Sequence, residues 1–198
     1  MSGYLSGVLA ILGINIIFAY SIYITAATGQ LNLGGAGFQA IGAYACALLS
    51  NELGLPIYLT LVFSAILGGA ISFLIAFPVL RTKGVYMVLA TFAIAEIVAG
   101  IILNTDYLGG PTGMIVNAYI ETEVVLVVAV IIVILGFYIM STRIGLAMRA
   151  VHDDEAVADL MGVDKRAIQV GAFTIGGAIA GLSGGLYALY FGFIEAQY

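Results

Sequence analysis

The sequence predicts an all-α, polytopic transmembrane helix bundle, and three observations carry that expectation. Hydrophobic residues fill 63% of the 198 positions and charged residues only 9%, against about 25% charged in an ordinary soluble domain. The apolar residues gather into runs of about 20, the length that crosses roughly 30 Å of hydrocarbon at 1.5 Å per residue. All six Lys and Arg lie between those runs, in two stretches: Arg81 and Lys83, then Arg143, Arg149, Lys165 and Arg166.

The first run, residues 4–27, is too long for the apolar region of a signal peptide and has no basic residue before it, so it reads as a span. The second, 32–50, is entered through Gly29-Gln30-Leu31-Asn32-Leu33-Gly34-Gly35, which is polar and too glycine-rich for a regular helix. Backbone of that kind survives at membrane depth only against protein or a water-filled cavity, so a broken or re-entrant entry is expected here. Runs at 57–80, 84–103, 122–140 and 168–192 complete six spans in one domain, residues 1–198. In the last of them Gly177, Gly181 and Gly185 recur every fourth residue, a small-xxx-small pattern that lets helix backbones approach closely. The single cysteine, Cys46, excludes a disulfide framework or thiol metal site and reads as a small core hydrophobe. No C-terminal lipidation box is present. The net charge of −5 comes from scattered acids, and without a basic stripe nucleic acid is not an expected partner. Nothing calls for a cofactor.

Two spans separate the basic stretches, so both lie on one side, and the positive-inside bias makes that side cytoplasmic. Glu52, Asp106, Glu121, Glu123 and Glu195 then fall at or near the opposite side. Nine of the seventeen charged residues lie within 143–166, inside a cytoplasmic loop of about 141–167 that is too long for a tight turn. Asp153 or Asp154 can cap a helix there, and Asp153, Asp154 and Glu155 place negative charge in its first turn. Val157, Leu160 and Met161 recur on one face, Gly162 suits a left-handed terminator, and Asp164 can cap the next helix. The loop thus encodes a short amphipathic helix, either a solvated connector or a docking element for a cytoplasmic partner.

The run Arg149-Ala150-Val151-His152-Asp153-Asp154-Glu155-Ala156-Val157-Ala158-Asp159-Leu160-Met161-Gly162-Val163 resembles the EAA-type cytoplasmic loop of ABC importer permeases. It is most similar to that of the branched-chain amino acid (LIV-type) permease family. Glu155, Ala158 and Gly162 fall at the family spacing, and Val157 replaces one alanine. Three further segments resemble motifs of that family in the same order: Gly29 to Gly34 with Ile41-Gly42-Ala43-Tyr44, Arg81-Thr82-Lys83-Gly84-Val85-Tyr86, and Gly109-Gly110-Pro111-Thr112-Gly113. The resemblance implies a permease subunit of an ATP-driven importer in the plasma (inner) membrane of a prokaryote. It implies as partners a second permease subunit, separate ABC ATPase subunits and an extracytoplasmic solute-binding protein. It also implies a small-molecule solute, a branched-chain amino acid or a related small polar compound. Arg149, Asp154, Glu155, Val157, Ala158, Leu160, Met161 and Gly162 would couple to the ATPase. The chain has no Gly-rich phosphate loop, so ATP hydrolysis is expected on the partner and no catalytic residue here. Family members usually continue beyond the position of Tyr198 with further spans, which are absent from this chain.

Glu96 lies well within an apolar span, where an unpaired charge is costly. It is expected to face the bundle interior, in a structural role or in a pathway or gate. Gln30, Asn32 and Thr91 are the nearest candidates for a polar lining. Two other classes fit the sequence less well. A passive channel or secondary transporter has no need of a cytoplasmic docking helix and more often carries several buried charges. A rhomboid-like intramembrane serine protease would use Gly181-Leu182-Ser183-Gly184-Gly185, but the serine needs a base. The only histidine, His152, precedes the span at its cytoplasmic side, where it reads as a solvated loop residue.

Overall fold

The computed structural model describes residues 3–195. The long helices are α1 (Gly3–Ala26), α2 (Gly35–Leu53), α3 (Ile57–Val79), α4 (Val85–Leu103), α5 (Thr122–Ser141) and α8 (Lys165–Phe191). Two short helices, α6 (Arg143–Asp153) and α7 (Glu155–Leu160), join α5 to α8. Two-residue strands β1 (Met114–Ile115) and β2 (Phe193–Ile194) pair antiparallel at the other end, Met114 opposite Ile194.

Five of the six long helices are long and apolar enough to cross a membrane. The sixth, α2, carries Gln39, Asn51, Glu52 and five small Gly or Ala residues in its first eight positions, yet it joins the two ends of the bundle as the others do. Its entry packs beside α4, where a Cβ on Gly34 would sit 3.0 Å from the Thr91 carbonyl oxygen. Its exit reaches β1, where the Asn51 amide donates to the Ile115 carbonyl at 2.7 Å and accepts from the Asn117 N–H at 3.0 Å. Nearby, the Tyr107 hydroxyl donates to the Glu52 carboxylate, which holds that phenol above its ordinary pKa range. The interior position of α2 explains its composition: a helix wrapped by other helices has no lipid face to keep apolar.

α8 is the axis of the bundle, packed by α1, α2 and α3. Its glycines make that packing possible. A Cβ on Gly42 of α2 would overlap the backbone of Gly181, and one on Gly68 of α3 would sit 2.6 Å from the Gly177 carbonyl oxygen. The backbones therefore touch, as small-xxx-small faces allow. Ser72 adds a hydrogen bond across the same seam, its hydroxyl donating to the Phe173 carbonyl at 2.7 Å. Ser183 is buried in this contact and donates to Ala180 of its own helix at 2.8 Å. It lies roughly 27 Å along α8 from Lys165, whereas His152 lies at the basic end, beside Gly29.

Candidate functional site

At the end of the bundle that carries the basic residues, the chain builds two linked features: a folded connector between α1 and α2, and the pair α6–α7. The connector, residues 27–34, is non-helical and runs inward alongside α4. Leu33, Gly34 and Asn32 find their partners nearby. The Leu33 N–H donates to Thr91 Oγ1 at 3.1 Å, Thr91 Oγ1 donates to the Val88 carbonyl at 2.9 Å, and Asn32 Oδ1 accepts from the Gly34 N–H at 2.8 Å. Thr91 is the seventh residue of α4, about 9 Å in from its start. Gln30, Asn32 and Thr91 are all buried; Thr91 ties the connector to α4, and Asn32 braces the connector's own turn. Gln30 points elsewhere: it lines a cavity at the basic end with Arg81 and Gln169.

Glu96 corrects an expectation. Its side chain lies on the exposed surface of α4, not in the interior of this chain. α4 is peripheral, touching the bundle chiefly through α2, and buries only Met87, Thr91 and Ile102. Glu96 does not share a turn with those residues, and the connector triad and Glu96 do not meet. Gly100, one turn further along the same face, has open space where a Cβ would stand.

The loop holds two helices where the sequence suggests one. α6 was missed, although Gly145, Met148 and Val151 are buried at three-residue spacing, a helical signal obscured by the surrounding charges. Asp153 ends α6 and does not belong to the first turn of α7. Arg149 sits on α6 and folds back: its Nη2 donates to the Met140 carbonyl at 2.6 Å and its Nε to the Gly145 carbonyl at 3.4 Å. It thereby satisfies an orphan carbonyl at the end of α5, and so sets the angle of α6 and does not form part of the α7 surface.

α7 has both ends fixed. Asp154 is its N-cap, with Oδ1 accepting from the N–H groups of Ala156 at 2.8 Å and Val157 at 3.1 Å. At the other end Gly162 adopts φ +82°. The Val163 N–H donates to the Ala158 carbonyl and the Gly162 N–H to the Asp159 carbonyl, both at 3.0 Å. That is the paired bonding of a Schellman terminator. Asp164 then caps α8, accepting from the Ala167 N–H at 3.0 Å. One face of α7 is turned to the bundle: Ala158 is buried, and Glu155 lies 3.6 Å from Lys83 Nζ and accepts from Gln169 Nε2 at 3.1 Å. The opposite face presents Val157, Leu160 and Met161, which are 50%, 87% and 80% exposed. The partners Lys83 and Gln169 come from α3–α4 and α8, at sequence separations that no local pattern reveals.

Such a molecule is a multi-pass helical membrane protein with a rigidly framed helix projecting from its basic end. The family model of the branched-chain amino acid transport system permease component matches residues 4–198, and the chain belongs to that family. It is 31% identical over 222 residues to the high-affinity branched-chain amino acid transport system permease protein LivM of Escherichia coli, covering 94% of this chain and 51% of LivM. It is 27% identical over 184 residues to the probable branched-chain amino acid transport permease protein LivH of Methanocaldococcus jannaschii, covering 83% and 58%. The chain thus spans little more than half the length of these relatives. No solved structure matches it.

Proposed function

We propose that this chain is a membrane-spanning permease subunit of an ATP-binding-cassette importer, seated in the plasma membrane of a prokaryote with its basic end in the cytoplasm. It pairs with a second permease subunit, receives a branched-chain amino acid or related small polar solute from an extracytoplasmic binding protein, and is driven by separate ATPase subunits. The family and the names of the relatives support the solute class; the geometry of α7 supports the coupling.

α7 carries the proposal. Leu160 and Met161 are among the most exposed large apolar residues of the chain, on a helix that the caps lift clear of the bundle. Helix-in-groove recognition uses such a face, and the groove belongs to the ATPase. Behind it, Glu155 joins Lys83 and Gln169, so displacement of α7 moves the α3–α4 loop and the start of α8. Glu96 belongs to the pathway side of the proposal. A carboxylate at the middle of a helix costs about 2.5–3.5 kcal/mol or more in lipid, so the exposed face of α4 meets the partner permease or the aqueous pathway.

The test is Leu160→Asp in the complete importer. Insertion and binding-protein docking are expected to remain, while ATPase co-purification and solute-stimulated hydrolysis are lost. Normal ATPase association and coupled hydrolysis would reduce the loop to a connector.

A further inference from the structure

Four of the six cations of this chain meet in one place. Between the facing ends of α3 and α4 and the starts of α7 and α8 lies a cavity of about 430 Å³, lined by Arg81, Lys83, Lys165 and Arg166 among others. Glu155 is the one acid in that lining, and it is engaged by Lys83 at 3.6 Å. Lys165 lies 3.7 Å from Asp159. Arg81 and Arg166 form no salt bridge among the described residues; the Arg166 guanidinium instead sits 5.8 Å over the ring of Phe77. Like charges converging on one cavity repel each other unless an anion sits among them.

Two further features define that anion. Gln30 closes the cavity from the connector side; it is 5% exposed and its Oε1 has no hydrogen-bond partner among the described residues. A half-turn of the amide exchanges its oxygen for an NH2 group, which would give a ligand oxygen a donor at the buried wall. Beside Thr82 and Gln169, three apolar side chains line the cavity as well: Phe77, Leu80 and Met87. A free inorganic anion makes no use of three apolar side chains, whereas an amphiphile does. The cavity also sits at the membrane edge on the basic side, where anionic leaflet lipids attract Lys and Arg.

We infer that this cavity binds the phosphate headgroup of an anionic phospholipid. Arg81 and Arg166 supply planar forks suited to phosphate oxygens, Lys83 and Lys165 add point charges, and the acyl chains leave along Phe77, Leu80 and Met87. Because Glu155 lines the same cavity, the bound lipid lies against the base of α7. The inference is independent of which solute is carried.

The experiment is native mass spectrometry of the purified full chain in detergent, titrated with phosphatidylglycerol and with phosphatidylcholine of the same acyl chains. Retention of phosphatidylglycerol is expected to exceed that of phosphatidylcholine about tenfold. Arg81→Gln with Arg166→Gln should abolish the difference, and Gln30→Leu should weaken it about threefold without changing charge. Arg143→Gln, on the same side but outside the cavity, should leave it intact. Arg81→Lys with Arg166→Lys, which keeps the charge, should retain an intermediate preference and guards against misfolding of the glutamine variant. Equal retention of the two lipids overturns the inference. So does equal loss with Arg143→Gln, which would mean diffuse charge attraction, and so does full displacement by millimolar inorganic phosphate, which would mean a free-anion site.

Discussion

Replacing Gly162 isolates a backbone effect. Its φ of +82° lies in the left-handed region, and no atom stands within 4 Å of the position a Cβ would take. A side chain there meets no neighbour, so the whole penalty is conformational, about 1–2 kcal/mol for a residue with a Cβ. α7 has only six residues, too few to hold itself together in water, and depends on the Asp154 cap, itself contributing about 1 kcal/mol, and on the Gly162 terminator. Gly162→Ala should therefore lower the population of the closed terminator by roughly 5–30-fold relative to its open forms. If the docking-competent α7 becomes the minor form, the apparent affinity for the ATPase falls by the fraction lost. Gly162→Asn should retain most of the function, because asparagine tolerates the left-handed region. Hydrogen exchange at the Gly162 and Val163 amides reads the structural step, and solute-stimulated hydrolysis against ATPase concentration reads the functional one. Identical behaviour of the alanine and asparagine variants would refute the reasoning, as would accelerated exchange with unchanged coupling.

Cysteines placed at Thr82 and Asp154 should be shielded from an impermeant reagent applied outside intact cells, while one at Pro111 should react; labelling at Asp154 would invert the topology. Cys46 is buried and should stay silent in that assay. Glu96→Leu and Glu96→Lys should both insert and fold, since the side chain has no place in the interior of this chain, yet uptake by the complete importer should fail, with Glu96→Gln largely preserved. Unchanged uptake with Glu96→Lys would remove Glu96 from the pathway. Gly42→Val should destroy the α2–α8 contact and cut the yield of folded protein severely, whereas Gly100→Val, with open space in this chain, should cost little in the chain alone; equal yields of the two would contradict the packing described above.

Five of the long helices are legible because their apolar runs match the bilayer, and the caps of α7 and α8 are legible because Asp154, Gly162 and Asp164 act within three or four residues of themselves. The failures share a cause. Glu96 was expected inside because a charge is normally hidden from lipid, but hydropathy along α4 carries no phase that distinguishes this chain's interior from a neighbouring subunit. α6 is hard to see because exposed Ile144 and Leu146 and the charged Arg143 and Arg149 flank or interrupt Gly145, Met148 and Val151, which blurs its apolar face. The Lys83–Glu155–Gln169 cluster depends on three segments meeting in space, and Arg149 on a carbonyl nine positions away.

α2 and α4 show what hydropathy measures in such a bundle. α2 is the least apolar of the long helices and is enclosed by others; α4 is strongly apolar and mostly exposed, so the inside-out gradient of a soluble protein is reversed. The hydrophobic effect does not drive helix association where lipid is as apolar as the side chains, and close backbone packing takes its place. Gly42, Gly177 and Gly181 accordingly lie on α2 and α8, the two least apolar long helices, and Gly68 meets that seam from α3. By the same logic a polar residue on an otherwise apolar outer face is the informative anomaly. Glu96 is that anomaly on α4, with Gly100 one turn away leaving room for another backbone. If a second subunit packs there, crosslinking between a cysteine at Ala93, exposed on the same stretch of α4, and one on the facing helix of the partner permease should be efficient and should be lost when Gly100→Phe is added. Crosslinking only through α5, whose exposed surface is apolar between Glu123 and Ser141, would place the subunit contact elsewhere and leave Glu96 to the aqueous pathway alone.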